Sequence, residues 1–211
     1  MLVVAIVLSM AAAGFGAERS HPAKAASALN LHKVGWSNVT LPGAVCGASH
    51  SIRLRHGSAF VHPIPQRFSK DSFYGKRGVS VDGGWDSVVF GDLAGGGAAD
   101  AGLMVSCNNG GGTADGALLY SWVIFSGAGG RLSTVGIVTP QVQPSEELPT
   151  LIEITIKHGA ITAHEDFYGS VDPTCCASGR ATTIWTYAGG ALVPGAPKIT
   201  SNPSSSSASP G

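Results

Sequence analysis

The chain has 211 residues, in which 13 basic residues balance 13 acidic ones and only 12% of positions are charged. That balance gives no electrostatic reason to expect nucleic acid or an anionic membrane surface as a partner. With 30 glycines, the composition suits a turn-rich β protein that works outside the cytoplasm.

Residues 2–13 form an uncharged apolar run, about 12 residues long and in the range of a secretory h-region. A membrane-spanning helix needs roughly 20 such residues, and Gly14, Gly16, Glu18 and Arg19 close this run first. No transmembrane span is therefore expected in the mature chain. Ala23 and Ala25 flank Lys24 at the two positions a signal peptidase reads, so cleavage is expected after Ala25. The basic n-region of a standard signal is missing, which points to an upstream start codon or an atypical signal. No cysteine precedes Cys46, so a lipid-attachment cysteine is not expected, and the mature form should be secreted or loosely associated with the envelope. The expected organisation is a signal peptide over 1–25, a linker or short helix over 26–35, one β-rich domain over 36–193, and a disordered Pro/Ser-rich tail over 194–211.

Within the domain, short apolar or alternating runs recur between Gly, Pro and Asn turns. Strands are predicted over 51–55, 59–61, 79–81, 85–91, 101–107, 117–125, 131–138, 151–157, 160–165 and 181–187. Ile152, Ile154 and Ile156 alternate with Glu153, Thr155 and Lys157, the period of a half-buried strand. His158-Gly159 then turns the chain into the next strand as a hairpin, and His56-Gly57 is read as a turn in the same way. No segment after residue 40 shows a sustained helical repeat; at most a short helix is expected over 26–34. The fold class is mainly β, antiparallel, as a meander, a sandwich or an open barrel stapled by disulfides.

Four cysteines are present, Cys46, Cys107, Cys175 and Cys176, an even count that reads as disulfide chemistry behind an export signal. Side chains of adjacent strand residues point to opposite faces, which favours two long-range bridges from Cys175 and Cys176 to Cys46 and Cys107. The alternative is a strained Cys175–Cys176 ring with a separate Cys46–Cys107 bridge, a ring that would be easy to reduce. A four-cysteine metal site is disfavoured, because no Cys-x-x-Cys pair exists. No cofactor is expected.

Between two predicted strands, residues 91–100 have a spacing that resembles the D-x-D-x-D-G-x-x-D calcium loop of integrin-type propellers. Asp92, Gly97 and Asp100 match it, while Ala94 and Gly96 stand where oxygen ligands belong. Calcium takes six to eight oxygens, so Asp92 and Asp100 make a weak candidate, and a glycine-rich turn is the plainer reading. The motif does not repeat, which excludes a propeller.

Three blocks together, Trp36 to Cys46 with Leu41-Pro42 inside it, GDLAGGGAADAGLMVSCN over 91–108 and DPTCCASGRATTIWTY over 172–187, resemble a group of actinobacterial exported proteins. That group is similar to the mycobacterial LppP/LprE-type lipoproteins and their secreted relatives. The resemblance covers most of residues 36–190 and implies export and fold; it brings no established activity.

No catalytic constellation emerges. His50, His56 and His62 lie six residues apart in a segment broken by Pro63 and Pro65, a poor frame for a zinc site. His158, His164, Glu165 and Asp166 cluster in one hairpin, and His164 with Asp166 can share a face, the basis of a trailing hydrolase reading. No serine, Ser106 and Ser178 included, sits in a nucleophile elbow, and Gly110-Gly111-Gly112 lacks the Lys-Ser/Thr of a phosphate loop. Arg180 is the charge to single out, either paired with an acidic ligand beside Trp185 or Tyr187, or tied to Asp172 or Asp166 to fix a turn. The expected function is a non-enzymatic binding or structural module whose partner is a cell-envelope polymer or protein. A thiol–disulfide switch at Cys175-Cys176 is the alternative, and a secreted hydrolase comes third.

Overall fold

Glycine turns and alternating apolar residues give twelve strands and four short 3-10 turns among the residues that the computed structural model describes, which are 27–62, 79–93, 99–108, 117–142, 150–173 and 176–203. The strands are β1 (Thr40–Leu41), β2 (Ile52–Arg53), β3 (Ser58–Val61), β4 (Val79–Gly91), β5 (Asp100–Asn108), β6 (Ala117–Ser126), β7 (Ser133–Val138), β8 (Thr150–Lys157), β9 (Ala160–Phe167), β10 (Gly179–Ala188), β11 (Ala191–Pro194) and β12 (Lys198–Ser201). Strands β3 to β7 pair in chain order as one five-stranded antiparallel meander. A second antiparallel sheet runs β8-β9-β10. The far edge of β10 is taken by β11 along Trp185 to Ala188 and by β12 along Arg180 to Thr182. β1 and β2 form a small separate ladder.

The central meander is covered on both sides, and the reason lies in β5 and β6. Ala101, Leu103, Val105 and Cys107 point to one face and are fully buried with Val123 and Phe125. The N-terminal layer lies over this face, bringing Leu31, Trp36, Val39, Leu41, Val45, Ile52 and Leu54 into a shared core. Trp122 and Ile124 point to the other face, where the second sheet supplies Ile154, Ile156, Ile161, Ala163 and Trp185. Each large apolar side chain so buried contributes roughly 1.5–3 kcal/mol, and neither core would be dry without its covering layer. The two sheets close tightly at one corner. A Cβ on Gly91 would collide with the Ile156 backbone oxygen, so only glycine lets β4 reach β8 there.

The mainly β, antiparallel reading holds, as does each expected strand, with two segments joined: 79–81 and 85–91 are one strand, β4, irregular between Gly83 and Val88. Both histidine-glycine turns form as expected. His56 and Gly57 have φ of 52° and 86°, and His158 and Gly159 have 52° and 78°, the paired positive φ of a two-residue hairpin turn. The short helix expected over 26–34 is one 3-10 turn, Leu31–Lys33, capped by the Asn30 side chain accepting from His32 N–H. Part of the tail expected to be disordered is a strand. β12 is exposed along its length, so backbone pairing to the open edge of β10 orders it, a term that composition does not register. Among the described residues, no helix is long and apolar enough to cross a membrane.

The disulfide expectation is corrected in its preferred form. Cys46 bonds to Cys107, across a sequence separation of 61 residues, so neither is left to bridge Cys175 or Cys176. The residues Gly43–Cys46 form a 3-10 turn of the N-terminal layer that sets Cys46 over the middle of the meander, and Cys107 is the inward residue of β5 that lies beneath it. Cys176 is disulfide-bonded as well, and Cys175 lies outside the described residues.

Candidate functional site

Three clusters bear on function, and the register of the sheets decides what each can do. On the outer face of the second sheet, Glu153, His164 and Thr182 stand side by side across β8, β9 and β10. The His164 ring sits with Nδ1 3.1 Å from Thr182 Oγ1 and Nε2 3.9 Å from Glu153 Oε1. Two residues along the same face, Asp166 lies opposite Arg180, with Arg180 Nε 3.7 Å from Asp166 Oδ1. His164 and Asp166 do share a face, as expected, but each is engaged across the strands by another residue. The hydroxyl beside the histidine is that of Thr182, a residue paired within the ladder. Arg180 is 61% exposed while the Asp166 side chain is 21% exposed with Oδ1 buried. At 3.7 Å, with its cation in solvent, the pair contributes on the order of 1 kcal/mol.

Arg180 and the aromatic candidates do not form a common site. Alternation puts Arg180 and Thr182 outside, and Ala181, Thr183 and Trp185 inside. Trp185 is only 5% exposed and belongs to the core between the sheets, which removes it as a stacking surface. Tyr187 is exposed, on the side of β10 opposite Arg180.

The loop from β9 to β10 is organised by Asp172. Its Oδ2 accepts from Gly169 N–H at 2.7 Å and Ser178 N–H at 2.9 Å, and the Ser178 hydroxyl donates to Oδ1 at 2.7 Å. Ser178 is thereby a structural donor. Cys176 N–H bonds to Pro173 O at 2.9 Å, and Cys176 is exposed.

One member of the hairpin that holds His164 and Asp166 is a buried acid. Glu165 is 1% exposed; its Oε2 accepts from Gln141 N–H at 2.7 Å and Val142 N–H at 3.1 Å, and its Oε1 from the Thr183 hydroxyl at 3.1 Å. The carboxylate links the segment leaving β7 in one sheet to β9 and β10 in the other. Its position in the inward series Ile161, Ala163, Glu165, Phe167 was the available signal.

At the calcium candidate, Asp100 is buried and its Oδ2 accepts from Leu93 N–H at 2.8 Å. Asp92 O accepts from Gly159 N–H at 3.4 Å, which joins the loop to the β8–β9 hairpin. Residues 94–98 lie outside the described part. Asp100 thus closes its own turn. Among the described residues, no three His, Cys, Asp or Glu side chains converge on one point, and His50, His56 and His62 are each exposed on the N-terminal layer.

That layer carries what the sequence reading missed. Two cavities adjoin there. One of about 390 Å³ is lined by Asn38, Thr40, Arg53 and Thr134, with Val34 and Leu132 among its apolar walls. The other, about 350 Å³, is lined by His50, Ser51, Arg53, Arg55, Ser58 and Phe60. Arg53 lines both.

The chain matches no protein-family model, no curated protein and no solved structure with which it was compared. Geometry and chemistry alone carry the functional argument.

Proposed function

We propose that this chain is an exported, non-enzymatic binding or structural module of the cell envelope. The observation that carries the reading is the Cys46–Cys107 disulfide, fully buried between the N-terminal layer and the central meander. A structural bridge of this kind persists in an oxidising compartment and is rare in the cytosol. The acids and histidines of the second sheet support the same reading, since Glu165, His164, Asp166 and Asp172 are engaged in holding strands and loops together. The apolar run over 2–13 and the likeness of three sequence blocks to actinobacterial exported proteins agree with it. The test is retention of the mature protein, produced with its disulfides, on washed cell-envelope material from the producing cell. Saturable retention is the expected result. Passage of the protein through the material without retention, or turnover of a defined substrate, would overturn it.

A second reading, a thiol–disulfide switch at Cys175-Cys176, is favoured by one observation. Cys176 is disulfide-bonded while Cys46 and Cys107 are joined to each other, and Cys176 is exposed where they are buried. A switch bridge of this kind exchanges with an external thiolate, which attacks one sulfur and releases the other as the leaving thiolate. Graded reduction followed by alkylation and peptide mapping should then label Cys176 at reductant levels that leave Cys46–Cys107 intact. Simultaneous opening of both would remove this reading.

A further inference from the structure

The net charge of zero conceals a segregation. Between Glu18 and Asp71 the sequence holds no acidic residue, and the described stretch 27–62 within it carries Lys33, Arg53 and Arg55 together with four histidines. The fold brings Arg53 and Arg55 onto one surface. Arg55 pairs with Ser58 across the His56-Gly57 turn, and alternation sends Arg53, Arg55, Ser58 and Phe60 outward while Ile52, Leu54 and Val61 enter the core. Among the described residues no carboxylate pairs with Arg53 or Arg55. Asp82, in register with Ser58, accepts instead from Asn108 Nδ2 at 2.8 Å.

We propose that the groove formed by the two cavities on either side of Arg53 is the binding site for an extended anionic carbohydrate, an acidic polysaccharide of the envelope. The inference rests on the envelope reading above and names its ligand class and site. Three features select the class. Arg53 is braced by a bond from its guanidinium to Thr40 Oγ1 at 3.2 Å, which leaves most of its fork free for a carboxylate or phosphate. Phe60 is 56% exposed, with its ring 4.6 Å from that of His62, an apolar platform for the C–H face of a sugar ring. Asn38, Thr40, Ser51, Ser58 and Thr134 line the rest with hydroxyl and amide groups suited to sugar hydroxyls. Arg53 lines both cavities, so a chain of sugar units running past it can fill the two together, which a single small anion cannot.

The experiment measures binding of hexagalacturonate to the disulfide-intact protein by calorimetry, with neutral maltohexaose and hexaglutamate as comparison probes. Hexagalacturonate is expected to bind and to weaken with added salt. Arg53→Ser and Arg55→Ser should each lower its affinity about tenfold, with thermal midpoints close to that of the parent because both side chains are exposed. Lys157→Ser, an exposed cation on the far hairpin, should change nothing. Absence of hexagalacturonate binding would overturn the proposal, as would equal affinity in an Arg53→Ser/Arg55→Ser protein. Equal binding of hexaglutamate would replace the carbohydrate with an acidic peptide, and equal binding of maltohexaose would remove the charge from the argument. The same double variant applied to envelope material separates the two readings. If parent and variant are both retained, the groove is wrong and the envelope module stands; if the parent itself is not retained, the underlying reading fails.

Discussion

Glu165 shows how one residue can couple two sheets. A carboxyl group 1% exposed is costly unless its oxygens are satisfied, and here two backbone N–H groups and one hydroxyl satisfy them. The donors matter as much as the acceptor, because Gln141 and Val142 lie just beyond β7, where the chain leaves the meander for the second sheet. Glu165→Ala strands both amides and opens a void, and we expect a loss of about 2–4 kcal/mol in urea-induced unfolding. Thr183→Val removes one of the three bonds and leaves both backbone amides paired, so it should cost less, about 1 kcal/mol. An equal loss in both variants would mean that packing around β9, and not the carboxylate, joins the sheets there. The same scale governs the polar surface nearby. Arg180 meets Asp166 across the strands as an intramolecular tie, and one residue of alternation separates its face from that of Trp185.

The elements were legible in the sequence wherever one face of a strand is dry. β8, β9 and β10 alternate cleanly because their outer face is wet, and the His56-Gly57 and His158-Gly159 turns announced themselves by a residue that tolerates positive φ followed by glycine. β4 was read as two strands because Gly83 falls inside it, at a point where a Cβ would meet Leu54 of the N-terminal layer; the glycine serves packing and not chain reversal. β1, β11 and β12 escaped notice for a different reason. β1 and β12 have no apolar series, and the apolar run of β11 is only four residues long. β11 and β12 form on the edge of β10 that β9 leaves unpaired and β1 forms on β2, which only the assembled sheets reveal. The candidate site was harder still. Arg180 and Trp185 look like neighbours in sequence and are separated by a sheet, whereas Arg53 and Phe60 come together through a hairpin whose turn was correctly placed. The missing step was to ask where the acids are absent, since a total charge cannot report a segregated one.

At the scale of the molecule, three layers share one central meander, and the N-terminal layer has the least regular structure of the three. It is held by short ladders and loop bonds, such as Leu54 N–H to Val39 O at 3.0 Å, Gly57 N–H to Ser37 O at 2.8 Å and Leu29 N–H to Gly127 O at 2.8 Å, and by its apolar underside. The Cys46–Cys107 bridge is the one covalent tie described between this layer and the meander, and its 61-residue separation corresponds to about 4 kcal/mol in the chain-entropy account. A Cys46→Ala/Cys107→Ala protein should therefore unfold at lower urea with a loss of roughly 3–4 kcal/mol. The loss should also be uneven. Opening of a layer built on few ladder bonds costs less than global unfolding, so amides of Leu54 and Gly57 should exchange with solvent much faster in the variant, while those of β5 and β6 follow the global stability. If protection falls uniformly, the layer and the meander form one cooperative unit, and the bridge acts only on the unfolded chain. If protection falls in the layer alone, the bridge holds the surface that carries Arg53, Arg55 and Phe60, and anionic-ligand binding should weaken in the same variant under conditions where both sheets remain folded.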